Sequence, residues 1–254
     1  MTIVQHNEQG ILTLTLNRPQ TLNAITTEML QELAQALQEA QATTVRTIII
    51  AGAGRGFCSG QDLKEFQGKQ IAYSEHLQLY NQIIKRIRKL PKPVIAALHG
   101  SAVGAGLSLA LACDIRLAAS DATFSTGFSR IALVPDSGMS YLLPRLVGWS
   151  KAFELVATSS TLSAQEALQL GIVNQVFDSS VFQEQVQSYS TQFAQGPTRA
   201  LGLFKQALQK SFHSNLDEAL AFEATLQDQA ASSPDHNEGI RAFMEKRPPT
   251  FTGE

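Results

Sequence analysis

Near the N-terminus, the spacing of apolar residues changes from a period of two to a helical period. Ile3 and Val4, and then the apolar positions of residues 12–16, alternate with polar residues around a turn at residues 7–10. Such alternation is typical of a β-hairpin. Farther on, Thr26 and Thr27 are suitable N-caps for a helix. Its apolar positions recur every three or four residues and share one face: Leu30, Leu33, Ala34 and Leu37.

Between residues 45 and 119, short apolar runs alternate with longer helical patterns. The short runs predict buried strands, and they read "VRTIIIAG", "PVIAAL" and "IRLAA". One helical pattern, "EHLQLYNQIIKRIRKL", is amphipathic, with Ser74 as its predicted cap and Pro91 as its stop. The other, "GAGLSLALA", is apolar on all sides and predicts a buried helix. Strands that are linked by helices predict an α/β fold.

After Ser150, the pattern is almost wholly helical. Three segments have the capping-box form, in which Ser or Asn is followed three residues later by Glu or Gln, and they begin at Ser163, Ser180 and Asn215. Residues 196–254 carry only helical periods, so they cannot extend a sheet. We therefore predict a core over residues 1–195 and a helical C-terminal region over residues 196–254. This region is expected to pack on the core or on a neighbouring subunit.

Composition narrows the class of protein. The 254 residues have a formal net charge of −2 and a pI near 6.2, which favours neither nucleic acid nor a membrane surface as partner. Cys58 and Cys113 are far apart, which suits a reducing compartment, and the N-terminus lacks a signal-peptide pattern. Residues 94–113 are apolar but are interrupted by His99, glycines and serines, so they indicate buried core rather than a membrane span. We expect a cytoplasmic location.

Several common cofactor and catalytic motifs do not occur in this sequence. Gly52, Gly54 and Gly56 follow a predicted strand, but without the spacing of a dinucleotide fingerprint. There is no G-x-S-x-G nucleophile motif, and the five histidines show no metal-ligand spacing. We therefore expect neither a metal nor a separate cofactor. Residues 85–92, "KRIRKLPK", concentrate positive charge, which we interpret as the solvated face of a helix rather than an anion-binding patch.

Two glycine-containing loops are more informative about chemistry. They read "GFCSGQDL" from Gly56 and "HGSAVGAGLSLALACD" from His99, and each follows a predicted buried strand. Small residues at a strand-to-helix turn leave backbone N–H groups unpaired, and the helix dipole reinforces them. Two such loops side by side can aim two N–H donors at one oxygen, which is the arrangement of an oxyanion hole.

Together with "LNRPQTLNAI" and the closing "GIRAFMEKRPPTF", these loops resemble the crotonase (enoyl-CoA hydratase/isomerase) superfamily over nearly the whole chain. The resemblance implies a spiral of ββα units and a helical trimerisation region, and hence a homotrimer or a hexamer built from two trimers. It also implies an acyl-CoA thioester as the ligand, so coenzyme A enters as part of the substrate. By the same resemblance, the backbone N–H groups of Gln61 and Ala105 bind the thioester oxygen.

The resemblance assigns further residues to the CoA ester. Those expected along the channel of the same subunit are Ala24, Ser59, Asp62, Leu63, Gly104 and Phe128. Phe243 and Lys246, in the segment "FMEK", match positions that reach the CoA of an adjacent subunit.

The same comparison of positions indicates which acid performs the reaction. Hydratases of the family add water with two glutamates, and the corresponding positions here are Ser108 and Phe128, neither of which can activate water. Asp136 matches the position at which some isomerases and a dehalogenase of the family carry one catalytic carboxylate. Apolar neighbours are expected to raise its pKa toward that of a proton shuttle, namely Ile131, Leu133, Val134 and Met139.

Within the family, the chain most resembles the isomerases that act on ring-1,2-epoxyphenylacetyl-CoA in phenylacetate degradation. The similar segments are "GFSRIALVPDSGMSYLLPRLVG", "AQGPTRAL" and "DHNEGIRAFMEKRPPTFTG". This resemblance implies conversion of the ring epoxide to oxepin-CoA, or a shift of a double bond from the 3- to the 2-position of an enoyl-CoA. A dehalogenase would need tryptophan at Phe128, whereas the only tryptophan is Trp149.

Other interpretations stay open at this level. Pro-Asp-Ser-Gly is a good β-turn, and Asp136 also suits the N-cap of the helix that follows. The pocket can serve a hydratase-like enzyme for another CoA ester, or a protein that binds the ester without catalysis. Some members of the superfamily bind RNA through a basic helix, for which residues 85–92 are the candidate.

Overall fold

The computed structural model describes residues 1–68 and 72–254. Its described strands are β1 (Ile3–Glu8), β2 (Ile11–Leu16), β3 (Thr47–Gly52), β4 (Val94–Leu98), β5 (Ser101–Val103), β6 (Ile115–Ala119), β7 (Thr123–Ser125), β8 (Leu162–Ser163) and β9 (Gln175–Phe177). Its described α-helices are α1 (Thr27–Glu39), α2 (Tyr73–Lys89), α3 (Ala105–Ala112), α4 (Met139–Val147), α5 (Trp149–Thr158), α6 (Ala164–Gln169), α7 (Phe182–Ala194), α8 (Thr198–Ser211), α9 (Leu216–Ala231) and α10 (Pro234–Glu245).

The strands form two sheets, which confirms the predicted α/β class. The larger sheet has the order β1-β2-β3-β4-β6-β9, and the smaller has the order β5-β7-β8. Consecutive strands enter different sheets: β4 and β6 lie in the larger one, whereas β5 and β7, which follow them, pair in parallel in the smaller one. Helices α3 and α4 come after these strand pairs, so the chain advances in repeated ββα units.

The N-terminal hairpin forms as predicted, but its turn is shorter than the predicted residues 7–10. Ile3 pairs with Leu16 and Glu8 with Ile11, which leaves Gln9 and Gly10 as a two-residue turn. Both residues have positive φ, 51° and 80°. Two consecutive residues of positive φ match the right-handed twist of the flanking strands, as in a type I′ turn.

The core lies on both faces of the larger sheet. On one face, Ile48 and Ile50 of β3 pack with the buried side of α1, whose Thr26 caps the helix as predicted, and with α2 and α3. Ile49 points to the other face, where Ile95 and Phe182 complete a second apolar cluster under α7. The alternation follows from the two-residue period of a strand. Every residue of α3 is buried, as predicted from its sequence, which is apolar apart from Ser108.

Two of the predicted helix starts are wrong. Helix α2 begins at Tyr73, one residue before Ser74, so the Ser74 backbone is already helical and its side chain caps nothing. Helix α7 begins at Phe182, because the Ser180 hydroxyl donates to the Asp178 carboxylate at 2.6 Å instead of capping a helix. The capping boxes at Ser163 and Asn215 are both formed, as predicted.

The stretch after Ser150 also contains two short strands that its helical pattern does not indicate. Strand β9 pairs in parallel with β6, with Leu117 opposite Gln175, and so extends the larger sheet. Strand β8 pairs with β7. Runs of two or three residues are too short to show alternation, so the pairing partner determines their conformation.

The described residues 196–254 form α8, α9 and α10 and no strand, as their helical periods predict. Helix α8 packs on the core of the same chain: Lys205 Nζ donates to the carbonyl of Ile87 at 2.8 Å and to the Asp114 carboxylate at 2.7 Å. Helix α9 packs on α8. Large apolar side chains stay exposed along this region, including Phe204, Leu216, Phe243 and Met244. None of the described helices has the length and hydropathy needed to cross a bilayer.

Candidate active site

A cavity of about 250 Å³ lies between the two glycine loops, α2 and the segment 127–136. The two loops bring backbone groups to it, whereas α2 and the segment 127–136 bring side chains. The residues that line it are Ser59, Gly60, Gln61, Leu63, Phe66, Tyr73, His76, Leu77, Tyr80, Val103, Gly104, Ala105, Gly127, Phe128, Arg130, Ile131, Leu133 and Asp136. One cavity therefore brings together three predicted site residues from different segments of the sequence: Gln61, Ala105 and Asp136.

The first loop leaves the backbone N–H of Gln61, a residue of the cavity wall, without a partner in the described part of the chain. Gln61 forms an isolated parallel bridge with Ile25: the Ile25 N–H donates to Gly60 at 2.7 Å, and the Asp62 N–H donates to Ile25 at 2.9 Å. In a parallel pair, the residue between those two contacts points its own N–H away from the partner strand. The Gln61 N–H accordingly has no acceptor among the described residues.

The second loop brings another free N–H to the same place. Gly104 has φ 55° and ψ −125°, a backbone conformation that favours glycine, and α3 begins at the next residue, Ala105. As the first residue of a helix, Ala105 has no acceptor for its N–H within the described chain. The loops are in close contact, because a Cβ added to Gly60 would lie 3.5 Å from the Ala105 nitrogen and 2.9 Å from the Val103 oxygen. Two unpaired donors on adjacent loops suit a carbonyl oxygen that gains negative charge.

Asp136 lies at the start of a tight turn, not at a helix cap. The Met139 N–H donates to its carbonyl oxygen at 2.9 Å, and Ser137 and Gly138 occupy the turn with positive φ. The side chain caps nothing: α4 has Gly138 in the cap position, and the Asp136 carboxylate accepts from the Ser137 hydroxyl at 2.8 Å. The N-cap interpretation of Asp136 is therefore wrong, whereas the turn interpretation is correct.

Burial raises the pKa of Asp136, and the Ser137 hydrogen bond and nearby His76 offset part of that effect. The predicted direction is thus confirmed, but one of the predicted neighbours contributes little. Val134 is 78% exposed and does not line the cavity, whereas Ile131 and Leu133 line the same cavity as Asp136. A carboxyl group with a raised pKa gives up and recovers a proton more readily near neutral pH.

Ser108, at one of the two glutamate positions, is fully buried and does not line the cavity. Its hydroxyl lies 3.1 Å from the carbonyl oxygen of Asp136 and 3.3 Å from that of Gly104. It therefore links the turn that carries the carboxylate to the start of α3. Phe128, at the other position, forms part of the cavity wall.

The other residues expected to bind CoA fall into three groups. Ser59, Leu63 and Gly104 line the cavity, as Phe128 does. Ala24 and Asp62 are not among the described lining residues. Arg18 Nη1 joins them, donating to the Asp62 carboxylate at 2.9 Å and to the Ala24 carbonyl. Phe243 and Lys246 lie in the C-terminal region, and Phe243 is 84% exposed. Their contact with a neighbouring subunit's ligand stays a prediction.

The structure also places four groups at the cavity that the sequence did not indicate. His76 and Tyr80 project from one face of α2, Phe66 packs edge-on against His76, and the Gln61 side chain contacts both α2 residues. Burial lowers the pKa of His76, although Glu65 and Asp136 oppose that effect, and burial raises the pKa of Tyr80. The sequence spacing of His76 and Tyr80, i and i+4, predicts that they share one face of α2. It does not indicate that both contact the side chain of Gln61.

The basic stretch 85–92 is largely occupied by contacts within the chain. Arg86 donates to the Ala34 carbonyl, and Arg88 lies 3.9 Å from the Asp114 carboxylate. Lys92 is buried, and its ammonium donates to the carbonyls of Ala40 and Ala42 at 2.8 and 2.6 Å. The interpretation as a solvated helix face is therefore incomplete, because Arg86, Arg88 and Lys92 contact neighbouring segments of the same chain. These three cations have little charge left for a nucleic acid.

Thiol chemistry does not suit this site. Cys58 is fully buried, its thiol donates to the Asn23 carbonyl at 3.2 Å, and burial raises its pKa to about 12, so it carries no thiolate at neutral pH. Across residues 1–68 and 72–254, no three His, Cys, Asp or Glu side chains come together as a candidate metal site.

Known proteins resemble this chain along its whole length. The sequence matches the family described as enoyl-CoA hydratase/isomerase over residues 6–254. It is 41% identical to the 1,2-epoxyphenylacetyl-CoA isomerase of Escherichia coli strain K12 over 258 aligned residues, which cover 99% of this chain and 98% of that enzyme. It is also 35% identical to the 2,3-dehydroadipyl-CoA hydratase of the same strain, with 99% and 98% covered.

A solved structure has the same fold. The enoyl-CoA hydratase from Bacillus anthracis superposes with a TM-score of 0.95, with 32% identity and all of both chains covered. This agreement confirms the spiral arrangement of ββα units followed by C-terminal helices.

Proposed function

Because this chain belongs to the enoyl-CoA hydratase/isomerase family and therefore to a family of CoA-thioester enzymes, we propose that it is an acyl-CoA isomerase with one catalytic carboxylate. Asp136 is the proposed proton carrier, and the N–H groups of Gln61 and Ala105 are the proposed oxyanion hole. The reaction would be conversion of 1,2-epoxyphenylacetyl-CoA to oxepin-CoA, or of a 3-enoyl-CoA to a 2-enoyl-CoA, or both.

One observation carries the proposal: Asp136 is the single carboxylate among the described residues that line the cavity. Addition of water in this family calls for a second acid, and the two glutamate positions hold a buried serine, Ser108, and an aromatic wall residue, Phe128. An isomerisation has no such need. One group can remove a proton from one carbon and return it to another.

The double-bond shift illustrates how the groups would act. The thioester oxygen accepts from the N–H groups of Gln61 and Ala105, and the Asp136 carboxylate takes a proton from C2. The electron pair of the C–H bond moves into the thioester, and the resulting charge rests on the oxygen between the two donors. Asp136, now protonated, returns the proton at C4. Each oxyanion donor typically contributes about 3–4 kcal/mol to such a step.

The cavity wall favours a flat acyl group. Five aromatic rings line it, from Phe66, Tyr73, His76, Tyr80 and Phe128. Aromatic groups pack edge-to-face and offset-stacked against one another with a stabilisation of about 0.5–1.5 kcal/mol per pair. A phenyl-derived or conjugated acyl chain would gain from such contacts, which agrees with the identity of the isomerase relative. This observation ranks the aromatic substrate first.

A product analysis tests the proposal. The protein is incubated with ring-epoxidised phenylacetyl-CoA, cis- and trans-3-hexenoyl-CoA and crotonyl-CoA, and the products are identified by mass spectrometry and NMR. An isomerase gives products of unchanged mass with a rearranged spectrum. Asp136→Asn is assayed in parallel, and an exposed aspartate of α9, Asp228→Asn, is the matched control.

Each alternative gives a different result. Rapid gain of one water on crotonyl-CoA would identify a hydratase, and binding of every ester without product would identify a protein that only binds CoA esters. RNA binding that weakens steeply with salt would point to the third alternative. Any of these outcomes, without isomerisation, would overturn the proposal.

A further inference from the structure

The side chain of Gln61 is held by two residues of α2. Its amide oxygen lies 2.6 Å from the Tyr80 hydroxyl and 3.0 Å from His76 Nε2. His76 and Tyr80 are four residues apart, so both project from one face of α2. Tyr80 is 4% exposed, and water therefore competes little for its hydroxyl.

The chemistry of the amide fixes the direction of both hydrogen bonds. A carbonyl oxygen only accepts, so the Tyr80 hydroxyl donates and His76 carries its proton on Nε2. The Gln61 amide nitrogen donates in turn to Glu65 at 3.2 Å. The Glu65 carboxylate accepts from the backbone N–H of Thr27, in the first turn of α1. A chain of hydrogen bonds thus runs from α2 through Gln61 to α1.

The backbone around Gln61 is held on one side only, by its parallel bridge to Ile25. Its neighbours bond to Ile25, and its own N–H, on the side away from Ile25, has no acceptor in the described chain. A free N–H on a glycine-rich loop can tilt, and misplacement by about 1 Å can cost about a hundredfold in rate. Side-chain hydrogen bonds from α2 oppose such a tilt.

We infer that Tyr80 and His76 are positioning residues, which fix the direction of the Gln61 backbone N–H by holding its side-chain amide. The inference rests on the proposed function, because it assumes that this N–H contacts the thioester oxygen. Through these hydrogen bonds, the two residues would then act on transition-state stabilisation rather than on affinity. The reason is that the thioester oxygen carries more negative charge after proton removal. A correctly oriented N–H donor therefore stabilises that state more than it stabilises the bound substrate.

Tyr80→Phe is the main test, because it removes one hydroxyl and keeps the ring. Carbonyl-¹³C-labelled butanoyl-CoA serves as an unreactive probe, and its C=O stretch is measured by difference infrared spectroscopy when bound. An oriented N–H donor lowers the C=O stretching frequency. In Tyr80→Phe we therefore expect this frequency to rise toward the value that butanoyl-CoA has in water. The isomerisation of 3-hexenoyl-CoA should show a kcat about 10- to 100-fold lower with KM changed less than about threefold.

Two further comparisons separate positioning from general damage. Tyr189→Phe is the matched control, because Tyr189 lies half-buried on α7 and its hydroxyl has no partner within the described chain; it should leave the frequency and kcat unchanged. For His76, glutamine can place an N–H near the position of Nε2, whereas methionine cannot. His76→Gln should therefore retain most of the frequency shift that His76→Met loses. This pair decides the matter if Tyr80→Phe proves unstable.

The possible failures are distinguishable. If the wild-type protein does not lower the carbonyl frequency and isomerises neither ring-epoxidised phenylacetyl-CoA nor 3-hexenoyl-CoA, the proposed function itself is wrong. If the wild type does both, and Tyr80→Phe and His76→Met match it in frequency and kcat, only the positioning role is refuted. In Tyr80→Phe, which keeps the ring, a rise in KM with unchanged kcat would also refute it, because it would show that the hydroxyl itself serves ligand affinity.

Discussion

Replacement of Asp136 by asparagine isolates the proton-transfer step. Asparagine has nearly the same size, and its side-chain oxygen can still accept from the Ser137 hydroxyl, now 2.8 Å away. The backbone contacts of the turn, from Ser108 and Met139 to the carbonyl oxygen, involve no side-chain atom of Asp136. The variant therefore lacks a transferable proton in an otherwise unchanged site.

The expected loss of rate is large and the expected loss of affinity small. A positioned general acid–base contributes about 10²–10⁴-fold, so isomerisation of 3-hexenoyl-CoA should fall by that factor. This corresponds to about 3–5 kcal/mol on the barrier. Binding of the saturated butanoyl-CoA should change little, because the donors to its oxygen are the backbone N–H groups of Gln61 and Ala105.

The pKa of Asp136 adds a test by stability. Because burial raises this pKa above its ordinary value, the folded state binds the proton more tightly than the unfolded state. The carboxyl therefore favours folding at low pH, and that contribution is lost as pH rises through the folded pKa. Asp136→Asn removes the cost of burying an ionised carboxylate, so it should slightly raise the free energy of unfolding at pH 7. Below about pH 3 the carboxyl group of the wild type is protonated, and the two proteins should have similar stability. The gain stays small because the side chain is only half-buried and solvent screens its charge.

The assay combines initial rates, calorimetric binding of butanoyl-CoA, and denaturant unfolding at both pH values, with Asp228→Asn measured throughout. Retained isomerase activity in Asp136→Asn would show that Asp136 only supports the turn. A strong loss of stability would show that the rate effect reflects a damaged fold.

Three further predictions concern the rest of the molecule. Hydration of crotonyl-CoA should be slow or absent, since Ser108 and Phe128 replace both glutamates; a turnover near the enzyme median of about 10 per second would contradict this. Ser108→Ala should reduce the unfolding free energy by about 1 kcal/mol, because a buried hydrogen bond to the Asp136 turn is lost, and unchanged denaturant unfolding would refute that role. Light scattering should report a trimer or hexamer, because apolar side chains such as Phe204 stay exposed on the C-terminal helices. Deletion of residues 240–254 should then reduce activity, whereas a fully active truncated monomer would exclude the expected intersubunit site.

The sequence by itself determined the local structure wherever a pattern was long enough to repeat. The N-terminal hairpin, α1 with its Thr26 cap, and the buried α3 follow from periodicity and capping alone. It also indicated the α/β class and, through family resemblance, the positions of Gln61, Ala105 and Asp136. The hairpin and helix predictions succeed because each depends on neighbours within one or two turns of the chain, whereas the roles of the three site residues stay predictions.

Only the tertiary structure decided what those residues contact. Strand β9 is only three residues long, and its pairing with β6 stabilises its extended conformation. The Ser180 hydroxyl donates to the Asp178 carboxylate and therefore does not cap α7. The sequence shows only that Ser108 is not an acid, whereas the structure shows that its hydroxyl supports the turn of Asp136. The contacts of His76 and Tyr80 with Gln61 span 15 and 19 residues. No periodicity encodes such contacts, because they depend on how the fold packs separate segments together, and that packing is what shapes the cavity.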